Sequence, residues 1–351
     1  MEPHIFSRSN KPLSRSFLSG MRVYDKIQRK LSYYKRLLPA YIFSKNSNLS
    51  FWHTPLEINH IEDYSKLGKY YMNFAEKTKF AGPFDENGVP MLDYKGNVGV
   101  QYNPNAVAQY ALGYFDLFTD TGNPEYKEIF LKQADWFVNN LRVTQGGIGL
   151  WEYKFDFEYH KGLKAPWRSA LAQGQGISVV LRAHLLTKDQ KYLQAASKAF
   201  KSFEHQIDEP DGVTYIDEKG YTWFEELIFI PPTHVLNGFI WALWGIYDYY
   251  LVTQNQKAER LFSEAVRTLQ DNIPKYDIGF WSTYHLVPTT LKKIASPYYQ
   301  KLHFIQLDVM CRLTGRKVFK EYASRWENYY SKWHYRYPAI CWKVLFKLLY
   351  Y

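Results

Sequence analysis

A chain of 351 residues that is 46% hydrophobic and 22% charged has room for one large or two ordinary domains, which excludes disorder for most of its length. No run of 18 or more apolar residues occurs, and the first residues lack the apolar stretch of a signal peptide, so neither a membrane span nor secretion is expected. Of the net charge of +10, residues 1–45 hold +8, ten Lys or Arg against Glu2 and Asp25, and this argues for an anionic surface or polymer near that end.

The aromatic share is 19%, with 31 Tyr, 23 Phe and 11 Trp, more than a core needs. Flat rings pack on sugars and phenols add hydrogen bonds, so carbohydrate is the natural ligand class; the competing explanation is a drift of composition in an AT-rich genome. The two cysteines, Cys311 and Cys341, fall in helix-like surroundings with no metal-binding spacing and read as reduced thiols of a cytosolic protein.

Residues 1–45 form a basic leader in which Val23, Ile27, Leu31, Tyr34 and Leu38 recur at helical spacing among Lys and Arg, until Pro39. That pattern suits a helix lying on an anionic membrane, or equally one packed on the body. Residues 46–104 carry turn signals at DENG (Asp85 to Gly88) and YKGN (Tyr94 to Asn97) and are expected to form short strands and hairpins.

From 105 to 335 a helical repeat takes over. Four apolar stretches, AVAQYALGYFDLF, GISVVLRAHLL, GFIWALWGIYDYYLV and FIQLDVMCRL, are each followed by a short polar turn and an amphipathic, more charged segment. The turn threonines Thr121, Thr187, Thr253 and Thr314 lie 66, 66 and 61 residues apart. An inner apolar helix paired with an outer charged one, repeated four times, is the construction of a mainly α fold, an incomplete (α/α) toroid of helical hairpins preceded by a small β-rich region. The connections 141–166, 205–232 and 273–299 are long and should emerge together at one end, where function resides. Residues 336–351 form a last segment whose end, WKVLFKLLYY, is apolar and basic and suits docking at a membrane interface or in a groove of the fold.

Candidate chemistry lies in those connections. The strand-like run TWFEEL places Glu225 and Glu226 side by side, and alternation sends one to solvent and the other, Glu226, to a cleft. Trp167 and Arg168 precede a helix start bearing Gln173 and Gln175, a combination of stacking, charge and free amides that suits a sugar carboxylate. Asn237 opens the next apolar helix, and the third connection holds Tyr276, Tyr284, Tyr298, Tyr299 and His303.

The runs SALAQGQGISVVLRAHLLTKD, THVLNGFIWALWGIYD, PKYDIGFWSTYHL and YYQKLHFIQL, within about 230 residues from Tyr102 to Trp333, resemble the C-terminal domain of the D-glucuronyl C5-epimerases. The resemblance implies an (α/α) toroid, a catalytic pair at Glu226 and Tyr299, a further active-site tyrosine at Tyr284, a substrate-contacting Asn237 and a site tyrosine at Tyr102. It departs from the family pattern at Leu227 and Trp241, where tyrosines are implied, at Val287, where an arginine is implied, and at Arg168, where a tyrosine is usual.

Inverting C5 of a uronate takes a proton from one face and delivers another to the opposite face, so an acid and a phenol on opposite walls suit it, with Arg168, Lys292, Lys293 and tyrosine hydroxyls to balance the charge that develops. That chemistry needs no cofactor, and no glycine-rich phosphate loop or metal-spaced His/Cys cluster occurs. The function expected is C5-epimerisation of D-glucuronate to L-iduronate in an acidic polysaccharide. The alternatives are a polysaccharide lyase using the same carbanion and a non-catalytic glycan-binding protein; a glycoside hydrolase ranks below, since a second carboxylate has no obvious place. Expected substrate-binding residues are Tyr102, Trp167, Arg168, Gln173, Gln175, Asn237 and His303. Expected partners are an acidic polysaccharide or lipid-linked glycan and a membrane surface met by 1–45 and 342–351, at the inner face of the cytoplasmic membrane, with a homodimer open and no nucleic acid.

Overall fold

The computed structural model describes residues 50–94, 98–157 and 162–350; the basic leader with its expected helix at 21–38 lies outside them. Eight helices form four hairpins: α1 (Pro104–Thr121) with α2 (Pro124–Asn139), α3 (Ala170–Thr187) with α4 (Gln190–Phe200), α5 (Leu236–Thr253) with α6 (Gln256–Asn272), and α7 (Pro297–Thr314) with α8 (Lys317–Ser331). The first helices of successive hairpins pack on one another, α1 on α3, α3 on α5 and α5 on α7, and the arc so formed is the expected incomplete (α/α) toroid.

Composition dictates which helix is inside. Nearly every residue of α3 and α5 is buried, as befits helices apolar on all sides, whereas α6 buries only a stripe of Ala258, Leu261, Ala265, Val266 and Leu269. Each hairpin turns in the same way. The final threonine of the inner helix donates its hydroxyl to the carbonyl four residues back, Thr121 to Leu117 at 2.7 Å, Thr187 to Ala183 at 2.8 Å, Thr253 to Tyr249 at 2.7 Å and Thr314 to Met310 at 2.6 Å. The same oxygen accepts the backbone N–H two residues on, at 3.1–3.4 Å. Between them sits one left-handed residue, Gly122, Lys188, Gln254 or Gly315, which ends the helix.

Inner helices approach closely because glycine lets them. A Cβ on Gly245 of α5 would lie 2.2 Å from the Gly174 carbonyl oxygen, and one on Gly174 would lie 2.6 Å from the Cα of Ala242. Further along the same pair Arg182 and Asp248 form a buried ion pair at 2.6 Å, and Tyr71 donates to the other Asp248 oxygen at 2.8 Å. Arg182 also donates to the carbonyls of Gly68 and Ser178, so its planar donors are engaged in full fork geometry.

The chain before α1 lines the inside of the arc. Tyr70 and Tyr71 pack on Trp244 of α5, Asn59 donates to Asp116 of α1 at 2.6 Å, and Tyr247 donates to the Tyr64 carbonyl at 3.1 Å. Its β structure is the hairpin β1 (Met91–Asp93) and β2 (Val100–Tyr102) with two isolated bridges, the rest being irregular. The connections carry two further antiparallel hairpins, β3 (Arg142–Val143) with β4 (Gly149–Leu150) and β5 (Thr214–Ile216) with β6 (Thr222–Phe224). All three long connections end at the N-terminus of an inner helix, so they share one end of the arc.

A ninth helix, α9 (Trp333–Tyr350), follows α8 and contains the apolar C-terminal stretch. Phe346 is buried on the body, whereas Val344, Leu345, Leu348 and Leu349 are exposed. No helix among the described residues is long and apolar enough to cross a membrane. Gly245→Ala is expected to lower unfolding free energy by about 1–3 kcal/mol through overpacking, measured by urea denaturation. The control Gly146→Ala, whose new methyl group meets nothing closer than 3.8 Å, should leave it nearly unchanged.

Candidate active site

Glu226 lies two residues past β6, with Glu225 between. Glu225 is fully buried rather than solvated, a correction to the sequence expectation with a clear cause. One of its oxygens lies 2.6 Å from His234 Nδ1, and the other accepts the Thr233 N–H, the Thr233 hydroxyl and the His234 N–H at 3.0–3.2 Å. A carboxylate met by that many donors is stable without water. Its backbone is tied at both ends, the N–H to Val213 and the carbonyl to Ala170 at the start of α3, which fixes where Glu226 can point.

Glu226 rests on the first turn of α5. A Cβ on Gly238 would come within 2.2 Å of Glu226 Oε2, so only glycine leaves room for the carboxylate there. Asn237 Nδ2 donates weakly to the same oxygen at 3.4 Å. Burial, and secondarily the neighbouring Glu225, push the Glu226 carboxyl up to about 8, while Lys293 opposes the rise.

The third connection is laced to this spot by backbone hydrogen bonds. Leu236 N–H donates to the Tyr284 carbonyl at 3.2 Å, Tyr284 N–H to the Lys293 carbonyl at 2.8 Å, and Leu286 N–H to the Thr233 carbonyl at 3.0 Å. Tyr284 and Tyr299 meet edge to face at 4.9 Å, and the Lys293 ammonium stands 5.2 Å from the Tyr284 ring centre. Tyr299 lies in the first turn of α7, capped by Ser296 and entered through Pro297. Burial raises its phenol above the ordinary tyrosine value, the Glu226 charge raises it further, and a hydrogen bond with Tyr284 pulls the other way.

Two residues of the site escaped the sequence reading. Tyr153, buried in the first connection, feels the Glu226 charge and has the Asn105 side chain within hydrogen-bonding reach. Asn105 stands in the first turn of α1, held by the Asn103 cap. Trp167 stacks on Tyr153 with centroids 3.7 Å apart and remains partly open. The side-chain Oδ1 atoms of Asn105 and Asn237 are buried with no hydrogen-bond partner among the described residues, a costly state that a ring hydroxyl would relieve. The density of aromatics in WEYKFDF was the available signal for Tyr153; for Asn105 it was its place two residues past the cap.

Other expected ligand residues are used structurally. Arg168 donates to the carbonyls of Gly212 and Glu209 at 2.8 and 3.2 Å and so pins the second connection. Gln173 is buried and bonds Trp151 N–H, the Gly149 carbonyl and Ser202, while Gln175 accepts from Gln109 inside the helix arc. His303 Nδ1 lies 2.8 Å from the Ser282 hydroxyl, and burial holds its imidazole neutral, at about 3. Tyr102 donates to Asp85 at 2.7 Å and lines a separate cavity of about 550 Å³ with Trp136 and Asp135, none of whose lining residues belongs to the Glu226 cluster. Arg168 and Gln173 find backbone carbonyls, whereas Gln175, His303 and Tyr102 pair with side chains, and Gln175 Nε2 and His303 Nε2 stay buried with no hydrogen-bond partner among the described residues. Val287 and Leu227, the departures noted above, bring no charge to the site, and Leu227 is buried with Leu163 and Val235. No cluster of His, Cys, Asp or Glu among the described residues has the arrangement of a metal site.

Residues 145–328 match the profile of the D-glucuronyl C5-epimerase C-terminus. The chain is similar to the D-glucuronyl C5-epimerase of Caenorhabditis elegans, 33% identical over 58% of this chain and 35% of that one, so it spans about a third of the length of that relative. It is also similar to an uncharacterised protein of Methanocaldococcus jannaschii, 30% identical over 70% of this chain and 85% of that one. Among solved structures, the unsaturated glucuronyl hydrolase of Streptococcus agalactiae is 16% identical, covering 62% of this chain and 56% of its own, with a TM-score of 0.43.

Observed by carbon NMR, Glu226 should titrate near 8 in the full chain. Lys293→Met should move that midpoint upward, because it removes the cation that favours the carboxylate; a downward shift would contradict the geometry.

Proposed function

The chain belongs to the D-glucuronyl C5-epimerase C-terminus family, and from that premise we propose that it inverts C5 of D-glucuronate residues in an acidic polysaccharide, giving L-iduronate. The observation that carries this reading is the convergence of Glu226, Tyr299, Tyr284 and Lys293 at one end of the inner helices.

Glu226 as carboxylate takes the C5 hydrogen as a proton, leaving the electron pair on C5 and the adjacent carboxylate. Tyr299 then donates its phenolic proton to C5 from the other side. The enzyme is left with a protonated Glu226 and a Tyr299 phenolate, and it recovers when a proton passes from one to the other by way of solvent, with Tyr284 stabilising the phenolate through its hydrogen bond. Both groups suit this traffic. A carboxyl near 8 is a far better base than an ordinary one, and a phenol raised by burial stays protonated until the carbanion forms.

Abstraction places a second negative charge beside an existing carboxylate, so the site must supply positive charge in a dry setting. Lys293 is the buried cation nearest the pair. The first turns of α1, α5 and α7 add the positive ends of their dipoles, and the orphaned amide oxygens of Asn105 and Asn237 are placed to accept ring hydroxyls. Trp167, stacked on Tyr153 and partly open, offers a face for a sugar ring.

The test is incorporation of deuterium from heavy water into an unsulfated glucuronate-containing polysaccharide. Deuterium at C5 with iduronate formed and no unsaturated ends is expected; unsaturated ends would replace the epimerase by a lyase. Glu226→Gln and Tyr299→Phe should each reduce exchange by roughly 10²-fold or more while leaving polysaccharide binding intact. For the unaltered chain kcat/KM should rise with pH and level off above about 8, since the carboxyl must lose its proton to act as base.

A further inference from the structure

The C-terminal helix α9 is inverted with respect to the usual rule. Its exposed face carries Val344, Leu345, Leu348 and Leu349, whereas the other face carries buried Phe346, half-buried Trp342, Lys343 and Lys347, and, near the end, exposed Tyr350. Three hydrogen bonds hold that inner face along the third connection. Trp342 Nε1 donates to the Lys292 carbonyl at 2.8 Å, Lys343 Nζ to the Ile294 carbonyl at 2.5 Å, and Leu291 N–H to the Tyr350 hydroxyl at 3.1 Å. The two lysines are therefore brought to the strip of chain that carries Lys293 and, through its backbone bond to Tyr284, the candidate catalytic tyrosines.

We infer that Lys343 and Lys347 of α9 join Lys293 to form the anion pocket that takes the C5 carboxylate of the uronate. This inference rests on the functional reading given above. Lys293 is buried and Lys343 and Lys347 are partly buried, and gathering three ammonium groups where water is restricted is unfavourable unless an anion joins them. Burial lowers all three, Lys343 to about 7 and Lys347 to about 8; Lys293 also feels Lys343 and Lys347, and Lys343 feels Lys347. Glu226 is the carboxylate whose charge acts on Lys293. A carboxylate bound among the three would relieve their repulsion and sit beside both Glu226 and Tyr284, as the C5 substituent must while C5 itself faces the acid and the phenol. The helix that supplies two of the cations lies beyond residues 145–328, the span matched by the family profile, so this part of the pocket is supplied by a different stretch of the chain.

The experiment uses the full chain and four variants, Lys343→Met, Lys347→Met, the double Met variant and the double Arg variant. Methionine keeps an aliphatic stem, and thermal unfolding is followed alongside. C5 exchange is measured for a glucuronate-containing oligosaccharide, and binding is measured by calorimetry for that oligosaccharide and its carboxyl-reduced counterpart. The double Met variant should raise KM and weaken binding of the carboxylated oligosaccharide roughly tenfold or more, as expected on losing charge-assisted hydrogen bonds. Binding of the reduced oligosaccharide should be unchanged, and the double Arg variant should restore most of the preference. Equal loss for both oligosaccharides would make α9 a structural brace and overturn the inference, as would unchanged KM. Absence of exchange in the unaltered chain overturns the epimerase reading, whereas the preference for the carboxylated oligosaccharide tests the pocket independently; no such preference in the unaltered chain overturns the pocket.

Discussion

The approach of α3 and α5 at Gly174 and Gly245 is the constraint from which the rest of the site follows. With no Cβ on either side, backbone meets backbone, and the buried Arg182–Asp248 pair fixes the same two helices one or two turns further on. Two contacts at different heights set both spacing and register. They therefore set where the first turn of α5 stands relative to the first turn of α3. Glu225 is bonded to the start of α3 and Glu226 rests on Gly238 of α5, so the position of the candidate base is decided by the distance between two helix ends. A shift of one inner helix would be felt at the carboxylate even though neither glycine touches it.

Two adjacent carboxylates in a buried strand end would be untenable if both needed water. The fold separates their roles by donors. Glu225 receives His234 and three donors from residues 233 and 234, which makes it a fixture of the loop; Glu226 receives one long hydrogen bond from Asn237 and stays proton-hungry. The same sequence pair thus yields one group that holds the architecture and one whose carboxyl is pushed to about 8. Two identical residues on one short stretch thus differ in their donors, and burial with the Glu225 charge beside it raises Glu226.

The hairpin repeat was legible because its turn chemistry is local. Thr121, Thr187, Thr253 and Thr314 make the same two hydrogen bonds in four places, and a spacing of 66, 66 and 61 residues is visible without coordinates. Strand alternation predicted that the two glutamates part, but not that Glu225 would be buried. What sequence could not supply was the destination of polar side chains at the helix starts. Arg168, Gln173 and His303 have the right chemistry for a sugar, yet each finds a partner of its own in a neighbouring connection, and the identity of that partner is a long-range fact. Tyr153 and Asn105 failed in the opposite direction, being ordinary in sequence and brought beside Glu226 only by the curl of the helix arc. The inversion of α9 was hidden for a related reason: a short segment mixing Lys, Leu and aromatics does not reveal which stripe faces inward until the third connection lies against it.

The arrangement of charge around the pair also bears on reversibility. The proposed epimerisation would run both ways through one carbanion, so whichever of Glu226 and Tyr299 gives up a proton in one direction would take it in the other. A base near 8 and a phenol raised above its usual value do not match, and proton removal by the phenolate from the product side is the easier half once that phenolate exists. The cost lies in forming the phenolate. The hydrogen bond from Tyr284 lowers that cost. In the proposed reaction Lys293, which stands over the Tyr284 ring and acts on Glu226, would balance the charge on the carbanion in either direction.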